Sequence, residues 1–237
     1  MTALNKYIFL YLHPVKWIDI HTHKAYRKYS DVIFIRNAFL LPILPENINY
    51  LCSNGLHPWK INSPFDTDKF IELLTRKPLV AIGEIGLDRL KPDFEKQLFF
   101  FKKQLQIGQQ FKLPIIVHCV KAYPETIALL KTYPAPVVFH QYEGNTSITN
   151  QLLALPNVYF SFGKQLFRKQ IPASLNQIPL HRIFLETDTS PQHVKTCYMQ
   201  LAQLLNINLH TLQEQLFKNF NAVFENRILQ TEHVYLK

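Results

Sequence analysis

Cysteine is scarce in this chain: Cys52, Cys119 and Cys197 form no Cys-x-x-Cys pair and no even set. That argues against a disulfide framework and a cysteine-based zinc site, and makes a reducing cytoplasm the expected location. Long apolar runs are missing too. The stretch Tyr7 to Leu12 falls far short of the ~20 residues that cross a bilayer, has no clear basic lead or small-residue cleavage site, and reads as a strand. There is no low-complexity segment, no short repeat and no Pro/Gly/Ser-rich linker, so a single domain over residues 1–237 is expected, with no membrane association and no obligate protein partner. Acidic residues are in deficit, 17 against 26 Lys and Arg, leaving a formal charge of +9. Such a balance favours polyanions, because each phosphate neutralised releases a condensed counterion, although many basic proteins bind no nucleic acid.

What is present is a chain large enough for one substantial core, with 47% hydrophobic residues. From residue 79 onward short apolar runs alternate with helical patterns, the rhythm of βα units and of a parallel sheet. Leu79–Ile82 leads into Gly83-Glu84, Ile115–Val117 into His118, Val137–Phe139 into His140, and Ile183–Leu185 into Glu186-Thr187-Asp188. Pro92 and Asp93 open a helix with Phe94, Leu98, Phe101 and Leu105 on one face. Pro124 starts another through Leu130, and Leu212, Leu216, Phe220 and Phe224 stripe a last one. Before residue 79, strands at Ile18–Ile20, Val32–Ile35 and Leu51–Leu56 leave little room for helices. The expected architecture is an α/β fold, a (β/α)8 barrel distorted by trimmed early crossovers.

His21 and His23 stand two apart at a strand end, so period-two geometry turns both imidazoles to one face, as shared chelation requires. Alone they read equally well as two surface histidines. Glu84, His118, His140 and Asp188 each close a later strand, and barrel enzymes assemble their sites at those C-terminal ends. Any one could be a satisfied core group; six at strand ends point to a metal centre. Imidazole and carboxylate ligands suit hard or borderline divalent ions such as Mg, Mn or Zn. Six ligands exceed the usual needs of one ion, so two ions about 4 Å apart are expected, with Glu84 as the bridge.

Here the chain resembles a known family. Ile18-Asp19-Ile20-His21-Thr22-His23, Gly55-Leu56-His57-Pro58, Gly83-Glu84-Ile85-Gly86-Leu87-Asp88, Pro114-Ile115-Ile116-Val117-His118, the His140 strand, Glu186-Thr187-Asp188 and Asn221-Ala222 to Phe224 follow the order of the TatD family of metal-dependent deoxyribonucleases, within the amidohydrolase superfamily. The resemblance implies that His21, His23, Glu84 and Asp188 surround one ion and that Glu84, His118 and His140 hold a second. It also implies that Asp188 orients or deprotonates a metal-activated water for attack on phosphorus, with Glu84 the other catalytic residue. The substrate implied is DNA, trimmed from its 3′ end.

The chain departs from that family in places. His118 is followed by Cys119 and Val120 instead of Ser-Arg, which removes a cation that Lys121 partly replaces, and strand alternation turns Cys119 toward packing. His140 is followed by Gln141-Tyr142-Glu143-Gly144 instead of Cys-Phe-Ser-Gly, and Thr189 lengthens the last loop. His57 faces the mouth, as a phosphate contact or a structural hydrogen bond, and Asp88 supports a ligand histidine or a turn. Lys24, Arg27, Lys28, Lys60, Arg89, Lys91, Lys121, Lys164, Arg168, Lys169 and Lys195 fall beyond strand ends. With Tyr26, Trp59 and Tyr142 they would ring the site to track phosphates and stack bases, or they are ordinary solvated loops. His57, Lys121, Lys24 and Arg89 are the expected substrate contacts. The rival functions are a small-molecule amidohydrolase acting on an ester, lactone or amide, and a binder without turnover.

Overall fold

A computed structural model describes residues 16–24, 30–38, 50–76 and 79–235. Eight strands lie side by side in chain order: β1 (Trp17–Thr22), β2 (Val32–Asn37), β3 (Leu51–Asn54), β4 (Leu79–Asp88), β5 (Ile115–Val120), β6 (Val137–Phe139), β7 (Val158–Phe162) and β8 (Ile183–Leu185). Every neighbouring pair is parallel. The ring closes at its mouth, where Thr22 bridges Asp188, the Asp188 N–H donates to His21 O (2.9 Å) and the His23 N–H donates to Asp188 O (3.0 Å). The fold is the (β/α)8 barrel that the alternating pattern implied.

Six α-helices are described, besides four short 3-10 turns: α1 (Thr67–Arg76), α2 (Phe94–Phe111), α3 (Tyr123–Leu130), α4 (Thr146–Leu153), α5 (Val194–Leu205) and α6 (Leu209–Tyr235). Apolar residues divide into two layers. Ile18, Ile20, Ile35, Val80, Ile116, Val138 and Phe184 fill the barrel, and Phe220, Val223, Phe224 and Ile228 of α6 close its lower end. Arg227 on the same helix donates to Leu79 O at 2.8 Å, tying the plug to the start of β4. The second layer packs the outer faces of the strands against the surrounding helices and includes Phe101 and Leu105 of α2 and Leu212 and Leu216 of α6. Burial on this scale, at roughly 25 cal/mol per Å² of apolar surface, is what fixes the strand ends relative to one another.

Residues 23–31 join β1 to β2 and residues 38–50 join β2 to β3; most of both connections, and with them the expected trimmed crossovers, lie outside the described residues. The strand expected at Tyr7 to Leu12, and Tyr26, Arg27 and Lys28 of the basic ring, lie outside the described residues. Several strands differ from expectation: β7 is not among the expected strands, β3 stops at Asn54, β5 runs past His118 to Val120, and β4 departs most. The apolar run at 79–82 does not end β4; the register against β5 shifts between Ile82 and Ile85 and the strand continues to Asp88, leaving Glu84 at its middle. Gly86 permits this, for its φ is +145° and a Cβ there would stand 2.0 Å from His118 O. Among the described residues no helix is long and apolar enough to cross a membrane.

Candidate metal centre

The barrel mouth gathers His21, His23, Glu84, His118, His140 and Asp188, all six of the ligands expected from the sequence. Glu84 is almost fully buried, and its two carboxylate oxygens serve different partners. Oε1 faces His118 Nδ1 (2.7 Å), His57 Nε2 (3.0 Å) and His140 Nε2 (3.1 Å); Oε2 faces His21 Nε2 (3.3 Å) and His23 Nε2 (3.9 Å). Asp188 Oδ1 lies 3.4 Å from His23 Nε2 and 3.8 Å from His21 Nε2. The groups His21–Glu84–His140 and His21–His23–Asp188 are each tight enough to hold a cation.

The donor chemistry fits a metal. His21 is wholly buried, and apart from the Glu84 carboxylate in front of Nε2 its ring nitrogens make no well-formed hydrogen bond, an arrangement that costs stability unless something else takes the lone pair. His140 has Nδ1 against Glu186 Oε1 at 2.8 Å, which in the neutral ring puts the proton on Nδ1 and leaves the Nε2 lone pair toward the cluster. His118 has Nε2 against Asp88 Oδ2 at 3.4 Å and presents Nδ1 inward. A carboxylate behind each imidazole is the arrangement that fixes the tautomer of metal-ligating histidines.

His57 is different. Its Nδ1 accepts the Trp59 backbone N–H at 3.0 Å, so in the neutral ring the proton sits on Nε2, which donates to Glu84 Oε1. A nitrogen carrying its proton has no lone pair for a cation, so the His57–Glu84–His118 cluster is a hydrogen-bonded group rather than a third ion site. Burial lowers the His57 pKa, against the pull of Glu84, which keeps the ring neutral.

Electrostatics follow from crowding. Burial would raise the Glu84 carboxyl, but His140, His118 and His21 hold it well below the usual range. Asp188 is likewise pushed up by burial and carried down to about 2, chiefly by His23 and then His140. Asp88 also sits at about 2, its desolvation outweighed by His118, Trp59 and the Leu90 N–H. Burial opposes charge on His140 and His118, yet Glu84 and Glu186 raise the first well above its ordinary value, and Asp88 and Glu84 raise the second.

Several supporting residues escaped the sequence reading. Glu186, in the Glu186-Thr187-Asp188 motif, is fully buried behind His140. Its signal was period two with Phe184 and Asp188. On α2, Gln97 and Gln104 are buried and seven residues apart, on the face read only as an apolar stripe. Gln97 clamps the Asp88 backbone from both sides, accepting from its N–H (2.8 Å) and donating to its carbonyl (3.1 Å). Gln104 does the same to Leu56, at 2.6 and 3.2 Å, and so sets His57. Asp19 accepts from Thr187 N–H (3.0 Å) and Oγ1 (2.7 Å), anchoring the loop that carries Asp188.

The cluster opens into a cleft of about 510 Å³ lined in part by Trp59, Lys60, Lys121, Gln141, Lys164 and Arg168. Of the four expected substrate contacts, His57 and Lys121 line it. Lys24 does not: its ammonium is buried, its pKa lowered by desolvation against the pull of Asp19 and Asp188. Arg89 does not either; it pairs with Glu125 and donates to Lys121 O at 3.2 Å, bracing the loop that bears Lys121. Tyr142 is a correction, since it lies in the core with its hydroxyl 2.7 Å from Thr149 Oγ1 rather than in the mouth. Gln141, at φ +42°, breaks the strand alternation after His140 and swings Tyr142 away. Cys119 packs against the core beside Thr126 while also edging the cleft, and among the described residues no cation cluster includes it.

An eight-stranded parallel barrel that gathers four histidines and two carboxylates at one mouth is the architecture of a metal-dependent hydrolase. The family model described as TatD related DNase matches residues 43–225, and the chain belongs to that family. An uncharacterized metal-dependent hydrolase, YcfH of Escherichia coli K12, is 29% identical over 203 residues, 77% of this chain and 76% of that protein. A human protein named 3′-5′ RNA nuclease TATDN2 is 29% identical over 175 residues, 68% of this chain but 23% of its own length. Among solved structures, the TatD homolog YJJV of Escherichia coli K12 superposes with a TM-score of 0.77 at 22% identity, covering 89% of this chain and 98% of that one. A TatD family hydrolase of Entamoeba histolytica gives 0.71 at 17% identity, with the same coverage.

Proposed function

We infer that this single-domain protein hydrolyses phosphodiester bonds in nucleic acid, DNA in the first instance and from the 3′ end, with two divalent ions held by His21, His23, Glu84 and Asp188 on one side and by Glu84, His118 and His140 on the other. The observation that carries the reading is the division of Glu84, one oxygen to each imidazole set, beneath a cleft lined by Lys60, Lys121, Lys164 and Arg168. A relative named as an RNA nuclease supports nucleic acid as the substrate class.

When bound, Mg, Mn or Zn supplies Lewis-acid polarisation of the phosphoryl oxygens and acidifies a water. The chain's own residues supply the rest. Asp188, its carboxyl near 2 and therefore ionised at neutral pH, accepts the proton of the attacking water. The new bond forms between that water oxygen and phosphorus, the bond to the leaving sugar oxygen breaks, and the proton passes from Asp188 to the departing group or to solvent. Glu186 and Asp88 hold the protons of His140 and His118 on their outer nitrogens. Neutral His57 offers a fixed N–H donor beside Glu84. Lys121, Lys164 and Arg168 orient the phosphate chain.

A second reading, a small-molecule amidohydrolase, draws on Glu143, which pairs with Arg168 at 2.9 Å and neutralises part of the cleft, and on a volume suited to a compact ligand. One experiment separates them. Metal-stripped protein is incubated with end-labelled single-stranded DNA or RNA plus Mg, Mn or Zn, beside an Asp188→Asn control. A metal-dependent ladder absent from the control is the expected result. Intact nucleic acid under every metal, with turnover of ester or lactone substrates, overturns it in favour of the second reading.

A further inference from the structure

Among the described residues, the large apolar side chains that stand open to solvent are Trp59, Leu90, Phe99, Phe167 and Met199; of these only Trp59 lines the cleft over the metal centre, and it is 57% exposed. An exposed indole is unfavourable in water and, beside a functional cleft, marks a place where something apolar and flat is received. This one is also held still. Its Nε1–H donates to Asp88 Oδ2 at 2.6 Å, its backbone N–H donates to His57 Nδ1, and Lys91 Nζ stands 4.6 Å from the ring centroid. A ring already fixed in place loses little side-chain entropy when a ligand stacks on it.

The rest of the wall says what that ligand is. Lys60, Lys121, Lys164 and Arg168 share the cleft, and the facing carboxylate, Glu143, is itself occupied by Arg168. A flat apolar surface set among cations a short distance from a metal centre matches a polyanion with exposed aromatic faces, which is an unpaired stretch of nucleotides.

We propose that Trp59 is the stacking platform for an unpaired base flanking the scissile phosphodiester, so that single-stranded ends enter the cleft and paired bases do not. The inference rests on the nuclease reading. Stacking on an aromatic side chain brings an advantage of about 5- to 150-fold per base, corresponding to ~1–3 kcal/mol, and that advantage disappears when the base is removed.

The test walks an abasic residue through the last four positions of a single-stranded oligonucleotide and measures kcat/KM for wild type, Trp59→Phe and Trp59→Ala. Phe keeps a ring but loses the bond to Asp88, so the pair of variants separates stacking from the positioning of Asp88. At one position the wild type pays an abasic penalty within that range, mostly through KM; the penalty persists in Trp59→Phe and falls below about twofold in Trp59→Ala. In parallel, tryptophan emission is followed in chelator as the intact oligonucleotide is added. Quenching is expected in wild type and not in Trp59→Phe, which retains only Trp17. If wild type cleaves but no abasic position matters, or if Trp59→Ala carries the same penalty, the stacking inference is wrong and the nuclease reading stands. If wild type neither binds nor cleaves any oligonucleotide, both are wrong.

Discussion

Replacing Glu186 by Gln should weaken metal binding without unfolding the barrel. Glu186 is fully buried, its Oε1 accepts the Nδ1–H of His140 at 2.8 Å, and its Oε2 has no hydrogen-bond partner among the described residues. The carboxylate acts only through His140, whose Nε2 faces the cluster. A hydrogen bond to a charged group in such a setting contributes about 3 kcal/mol at most, and a neutral acceptor of the same shape about half. The loss of about 1.5 kcal/mol should appear as an affinity roughly tenfold weaker, and Glu186→Ala should reach up to about 100-fold. The assay is competition for Zn or Mn against a chelating dye. Thermal melts give an independent reading: at an ion concentration of 100 Kd for the wild type, binding stabilises by about 2.7 kcal/mol, and a tenfold weaker variant at the same concentration keeps about 1.4 kcal/mol. Affinities within twofold of wild type for both variants would refute the claim that Glu186 governs the metal-facing nitrogen of His140.

Three further outcomes follow from the same geometry. Because the His57 proton is pinned to Nε2, His57→Gln should leave the stoichiometry of bound metal unchanged, whereas His118→Ala should lower it; titration with Zn followed by elemental analysis distinguishes them. In metal-free protein, the Asp188 and Asp88 carboxyls sit near 2, below their unfolded values, so their contribution is complete above about pH 4 and is lost as pH falls toward 2. His140 and His118 are raised, so their contribution is complete below the ordinary histidine range and is lost as pH rises through their folded values. The urea midpoint should therefore fall on both sides of mildly acidic pH, and a midpoint that climbs from pH 5 to pH 2 would contradict the assignment. Gly86→Ala drives a Cβ to 2.0 Å from His118 O in a left-handed backbone position and should cost about 3 kcal/mol or more, read as a depressed melting temperature or insoluble protein.

Much of the barrel was legible because its strands are short apolar runs ended by polar ligands. At β5 and β6 the reading needed only period two: Ile116 and His118, and Val138 and His140, share a face, apolar below and metal-capable above. The stripe Leu212, Leu216, Phe220 and Phe224 was legible for the same reason at period 3.6. Where the alternation breaks, the reading erred. Strand β4 runs past Ile82 because its register slips, and Tyr142 turns into the core because Gln141 adopts a left-handed backbone; neither is encoded in the order of apolar and polar residues. Long charged side chains were the least readable. Lys24 and Arg89 follow strand ends just as Lys121 does, yet one tucks its ammonium toward Asp19 and Asp188 and the other is taken by Glu125.

The sequence by itself therefore determined the barrel class and the six side chains proposed as ligands, since both depend on local periodicity and on which polar residues follow the apolar runs. Only the tertiary structure decided the tautomers, the splitting of the Glu84 oxygens, the backbone clamps of Gln97 and Gln104 and the choice of cations that reach the cleft. Those depend on ångström-scale meetings between residues far apart in the chain, and a hydrogen bond or an ion pair is made or missed over less than 1 Å.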